Sequence, residues 1–136
     1  MTLGWRPATP ADDAAVVGLC LALFDEDPSP HRPGEDAIRR TLTVFRAEPV
    51  RGRALVLADG DEVAVGYALL AACWSNELGG ELCVIDELYV APGARGAGHG
   101  SALLRALAAG DPTLWPRDAV ALDLETTAGN ARARAL

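Results

Sequence analysis

The chain has 136 residues, half of them apolar and 23% charged, which suits one folded domain with its own core and excludes a disordered or low-complexity chain. Its net charge is −7, and all 12 basic residues are arginine. A nucleic-acid binder would carry a basic face for phosphates, so that class is excluded, and the long-range field of this chain favours cations over polyanions.

Leu3–Arg6 predicts a short strand, stopped by Pro7 and Pro10. Thr9 as N-cap, Pro10 in the first helical position and the acids Asp12 and Asp13 start a helix. It runs to about Phe24, with Ala15, Val16, Leu19 and Leu23 on one face. The proline-rich, acidic stretch from Asp25 to Gly34 breaks it. A second helix follows from about Glu35 to Arg46, with Ile38, Leu42 and Phe45 on one side. Ala54–Ala58 predicts a strand, Asp59-Gly60-Asp61 a hairpin turn and Val63–Trp74 a long strand. After a turn over Asn76–Gly80 comes the strand Glu81–Val90, closed by Ala91-Pro92-Gly93. A glycine-rich loop from Ala94 to Gly100 leads into a helix from Ser101. Leu103, Leu104 and Leu107 form its stripe, and Gly110 stops it. Asp118–Glu125 predicts a further strand, and Asn130 the start of a last helix. The expected fold is α/β: a mixed, mostly antiparallel sheet with helices on both faces, in a single domain over residues 1–136.

No apolar run approaches the ~18 residues of a membrane span, and the N-terminus lacks the basic-then-apolar layout of a signal peptide. A cytoplasmic protein with no membrane partner is expected. Cys20, Cys73 and Cys83 are odd in number and lack metal-type spacing, so they read as reduced core residues. With two histidines, His31 and His99, no metal site is expected.

The run Arg95-Gly96-Ala97-Gly98-His99-Gly100 sits between a strand and a helix. A helix N-terminus offers unpaired N–H groups and a partial positive charge, and glycines let an anion approach them without Cβ clashes. Arg95 adds a fork-shaped cation at the loop's mouth. A pyrophosphate is the natural ligand. With no lysine there is no Walker loop, and the preceding antiparallel meander does not suit a dinucleotide-binding unit.

These residues resemble a known family. Arg95–Gly100 fits Gln/Arg-x-x-Gly-x-Gly/Ala, the acetyl-coenzyme A (acetyl-CoA) pyrophosphate loop of the GNAT N-acetyltransferase superfamily. Ile85–Pro92 resembles that superfamily's fourth strand and Arg6–Asp12 its opening. Leu122–Glu125 with Asn130–Ala133 resembles its fifth strand and the helix after it. The resemblance implies that Leu88, Tyr89 and Val90 pair with the pantetheine arm as an added strand. It implies that the amides of Arg95, Gly96, Ala97, Gly98, His99, Gly100 and Ser101 hold the pyrophosphate, and that Asn130 lies near the cofactor. It further implies an acceptor pocket bordered by Trp74 and by the turn after the first helix, where Asp25 and Glu26 cluster with Asp27, Glu35 and Asp36.

Acetyl transfer to an amine needs a neutral nitrogen, so a base must take the ammonium proton, and the oxyanion needs a donor, for which Val90 N–H is the candidate. Asp86 and Glu87 are the carboxylates at hand. Adjacent residues point to opposite faces of a strand, so only one faces the acceptor; Asp86 shares parity with Leu88 and Val90 and is the first choice, Glu87 the second. The chain departs from the family pattern at its end. It stops at Leu136, where a general-acid tyrosine would come next, and it lacks the C-terminal strands, so a truncated or short form is expected, with a homodimer covering the sheet edge. The expected activity is acetyl transfer from acetyl-CoA to a small-molecule primary amine. The alternatives are a non-catalytic acyl-CoA-binding module and a protein N-acetyltransferase.

Overall fold

The computed structural model describes residues 2–124. A five-stranded sheet forms its centre, in the spatial order β1 (Gly4–Pro7), β2 (Gly52–Ala58), β3 (Gly66–Ser75), β4 (Gly80–Val90), β5 (Ala121–Leu124). The first four strands pair antiparallel; β5 pairs parallel to β4, with Leu82 opposite Ala121 and Ile85 opposite Leu124. This is the expected mixed, mostly antiparallel sheet. Two helices, α1 (Asp13–Glu26) and α2 (Glu35–Ala47), cover one face, and α3 (His99–Ala108) covers the other.

The three central strands, β2 to β4, send residues from their two faces into two separate cores. Val56, Tyr67, Leu69 and Tyr89 meet Val16, Cys20, Ile38 and Leu42 of α1 and α2. Leu55, Leu70, Cys83 and Ile85 meet Leu103 and Leu107 of α3.

Several boundaries differ from expectation. Pro10–Asp12 form a 3-10 turn before α1 instead of its first turn. There the Asp12 carboxylate accepts from Thr9 N–H at 2.8 Å and from two guanidinium nitrogens of Arg6, which satisfies it locally. The buried face of α1 centres on Val16, Val17 and Cys20, with Leu19 and Leu23 at its flank. β3 starts at Gly66, because Asp59–Val65 form a wider turn than a two-residue hairpin. β5 is four residues long within the described chain. Cys20 and Cys83 are buried as expected; Cys73 is exposed, since it falls on the open end of β3. The predicted last helix and Asn130 lie outside the described residues.

Candidate active site

A single extra residue shapes β4. Leu69 of β3 pairs with Glu87, yet the next residue, Leu70, pairs with Ile85, so Asp86 has no partner across the ladder. It is a β-bulge, and it resets the alternation of side chains. Ile85 points into the α3 core, whereas Glu87 reaches Cys20 of α1, Leu88 packs on the α3 side and Tyr89 lies in the α1–α2 core. In an unbroken strand, Ile85 and Glu87 would share a face.

The bulge also divides the strand's edge. Before it, β4 is paired on both sides; beyond Ile85, no described residue pairs with its outer edge. Ala91 N–H donates to Val65 O at 2.8 Å. Antiparallel alternation then places Tyr89 in the hydrogen-bonded pair with Tyr67 and turns the N–H and C=O of Leu88 and Val90 outward. Of the three residues expected to present backbone groups, Leu88 turns both outward and Val90 its N–H, the Val90 carbonyl accepting from Arg95 Nε; Tyr89 spends its own on β3.

The glycine loop lies at the end of this open edge. Gly96 and Gly98 have φ of +87° and +78°, left-handed conformations that glycine adopts without Cβ strain. Gly98 is the N-cap of α3, so His99, Gly100 and Ser101 form its first turn and belong to the helix instead of the loop. The first helical bond is Ala102 N–H to Gly98 O, and the amides from Gly96 to Ser101 donate to no described residue. Gly96, Ala97 and Gly98 are exposed. The indole N–H of Trp5 donates to His99 O at 2.8 Å, pinning the helix start to β1 across 94 residues of chain. The sequence carries no signal for that contact.

Arg95 does not reach toward these amides. Its Nε donates to Val90 O at 2.7 Å, its Nη2 pairs with both oxygens of Glu26 at 3.0 and 2.7 Å, and its guanidinium lies over the Tyr89 ring at 5.2 Å. Glu26 is thereby brought to the loop, as an ion-pair partner of arginine. Asp25 pairs with Arg32 and Glu35 with Arg39. Three of the five acids expected to attract an amine thus face arginines already. Trp74 is 69% exposed. It stands five residues along β3 from Leu69, roughly 17 Å from the bulge, so the structure does not bring it to the carboxylates.

The two carboxylates have different surroundings. Asp86 is exposed and makes no hydrogen bond to a described residue. Glu87 is half-buried. Its Oε1 accepts from Tyr67 Oη at 2.7 Å and from Cys20 Sγ at 3.5 Å. Burial pushes the Glu87 carboxyl above its ordinary range, against the two hydrogen bonds, which favour the ionised form. Burial also raises the Tyr67 hydroxyl and takes the Cys20 thiol to about 12, so both stay protonated donors. A carboxylate shifted toward neutrality beside an open edge is suited to taking a proton. Among the described residues no cluster of acids, cysteines and histidines could hold a metal, and no helix is long and apolar enough to cross a membrane.

Known proteins match this chain in sequence and fold. The model of the acetyltransferase (GNAT) family covers residues 13–136. Among solved structures, an integron cassette protein from the mobile metagenome of Cole Harbour Salt Marsh is 32% identical, with a TM-score of 0.74 over 96% of this chain and 81% of that one. A candidate acetyltransferase from Arthrobacter sp. FB24 is 30% identical, with a TM-score of 0.72 over 97% and 80%. The ribosomal-protein-alanine N-acetyltransferase of Brucella melitensis biovar Abortus 2308 shares the fold at 19% identity, with a TM-score of 0.75 over 98% and 86%. No curated protein matches the chain.

Proposed function

The chain belongs to the acetyltransferase (GNAT) family, and from that premise we propose that it transfers an acetyl group from acetyl-CoA to the primary amine of a small-molecule acceptor. The observation that carries the reading is the open edge of β4 ending against the glycine loop. Leu88 and the N–H of Val90 offer outward backbone groups for a strand-like pantetheine, and the amides from Gly96 to Ser101, which donate to no described residue, suit a pyrophosphate. No Cβ-sized obstruction lies at Gly96 or Gly98. These features fit acetyl-CoA, which supplies the activated thioester.

In the proposed step the acceptor nitrogen attacks the thioester carbonyl. A C–N bond forms, the C–S bond breaks, and the sulfur leaves as thiolate and takes up the proton that the attacking nitrogen gives up as it becomes an amide, leaving the free thiol. The ammonium proton must leave first, and Glu87 is the base that the surroundings favour over Asp86. The outward N–H of Val90 is the donor available to the oxyanion. The acceptor reading rests on the net charge of −7 and on the carboxylates beside the loop. The pairing of Asp25 and Glu26 with arginines weakens their part in it, and Trp74 lies too far away to support it. The homodimer rests on β5, whose outer edge meets no other described strand; sedimentation equilibrium decides it.

Titration calorimetry with acetyl-CoA, and NADPH as control, tests the donor. Selective binding of acetyl-CoA, followed by thiol release with a panel of primary amines, is the expected result. Equal affinity for NADPH, or no binding by the folded chain, overturns the reading. Binding without turnover of any amine leaves an acyl-CoA-binding module, and turnover of peptide N-termini alone leaves a protein N-acetyltransferase.

A further inference from the structure

We infer that Tyr67 and Cys20 are positioning residues that hold the Glu87 carboxylate by Oε1 and leave Oε2 as the atom that receives the acceptor's proton. The inference rests on the proposed acetyl transfer and adds to it the device that aims the base.

The grip on this half-buried carboxylate is one-sided. Both donors meet the same oxygen, Tyr67 Oη at 2.7 Å and Cys20 Sγ at 3.5 Å. Both side chains are sealed in the core, at 0% and 1% exposure, so neither can swing away to water. They come from β3 and α1, and with Glu87 on β4 they fix the carboxylate from three elements. Oε2 has no described partner. A carboxylate gripped by one oxygen presents the other in a defined direction, and that is what proton transfer in a near-attack geometry needs.

The choice of donors matters as much as the grip. No ion pair among the described residues includes Glu87. The groups facing it are neutral: the Cys20 thiol from α1 and the Tyr67 hydroxyl from β3. On its own strand stands the like charge of Asp86, and the charge of Arg32, which pairs with Asp25, bears on Cys20. An arginine in Tyr67's place would orient Glu87 too, but would hold it ionised and make it a poor base. Neutral donors orient it while leaving it basic.

Carboxyl carbon NMR and thiol-release kinetics test this together. In the wild type, Glu87, identified by its disappearance in Glu87→Gln, titrates above the ordinary carboxylate range. Tyr67→Phe removes the main bond to the ionised form, so the titration moves up by roughly one pH unit. The acid limb of kcat with acetyl-CoA and the amine panel moves with it. Turnover on the acid limb falls by up to about tenfold while the plateau at high pH is kept. Cys20→Ala moves both the same way by less, and Cys20→Ser, which keeps a donor, stays near the wild type. A uniform loss at every pH marks a merely structural role and overturns the inference, as does a Glu87 titration that Tyr67→Phe and Cys20→Ala both leave unmoved. If Glu87→Gln keeps full turnover, or the wild type releases no thiol with any amine, the base assignment falls and the inference with it. An inactive Glu87→Gln beside an unmoved acid limb in Tyr67→Phe removes the positioning role alone.

Discussion

Two carboxylates flank α1, Asp12 buried and Glu87 half-buried, and the protein treats them oppositely. Asp12, at the start of the helix, is 7% exposed and lies in a fork of Arg6 with both oxygens engaged at 2.8 and 3.0 Å. The Arg6 hydrogen bonds, outweighing burial, hold its carboxyl below the usual range. Glu87 faces the middle of the same helix through Cys20 and has neutral donors on one oxygen, and burial carries its carboxyl upward. Both sites are desolvated, so burial alone does not set the outcome. The charge of the partner does: a guanidinium turns a buried carboxylate into a fixed structural anion, and hydroxyl and thiol donors leave it able to take up a proton.

Glu87→Gln is the largest test of that contrast. The amide keeps the shape and an acceptor for Tyr67 but cannot take a proton. Acetyl transfer is expected to fall by roughly 10²-fold or more, with acetyl-CoA affinity unchanged by calorimetry. Asp86→Asn, on the exposed bulge, is expected to change turnover by only a few-fold. The reverse ranking would return the base to Asp86 and reduce Glu87 to a core residue.

Much of this molecule is legible in its sequence, and the exceptions share one cause. Gly96 and Gly98 mark the loop because their left-handed backbone needs glycine locally, and the strand order follows from apolar runs and turn residues. The bulge does not show, because nothing in Ile85-Asp86-Glu87 says which residue will be skipped across the ladder. Counting parity from Asp86 to Leu88 and Val90 therefore says nothing of the donors that meet Glu87, because the bulge resets the alternation at Asp86. The Glu87 grip depends on residues 67 and 20 positions away, and the Arg95–Glu26 pair spans 69. Such contacts are set by how elements pack, not by local propensity.

The second test is one of stability. Breaking the Asp12–Arg6 pair by Asp12→Asn leaves a partly buried guanidinium without its anion and is expected to cost about 2 kcal/mol. The pH dependence separates the corners. The Asp12 carboxyl is depressed on folding, so its contribution is present above the ordinary value of 3.8 and is lost as pH falls below it. The Glu87 carboxyl is raised, so its contribution is complete below 4.5 and is lost as pH rises through its folded value. Urea unfolding from pH 3 to 8 should therefore lose its acid-side rise in Asp12→Asn and its neutral-side decline in Glu87→Gln. Equal slopes in the two variants would mean that the partner's charge is not what distinguishes the corners.

The smallest test asks whether α1 couples them. Gly18 is exposed in the middle of the helix, between Asp12 and Cys20, and a Cβ there meets nothing within 4 Å. Alanine lowers the conformational entropy of the unfolded chain without touching either corner, so Gly18→Ala is expected to add somewhat under 1 kcal/mol of stability in urea. If the corners act independently, the Glu87 titration and the acid limb of turnover stay where they are, because Cys20 is already sealed in the core and gains nothing from a stiffer helix. A shifted limb would show that the Cys20–Glu87 contact opens through bending of α1. The helix, and not the donors alone, would then govern how basic Glu87 is.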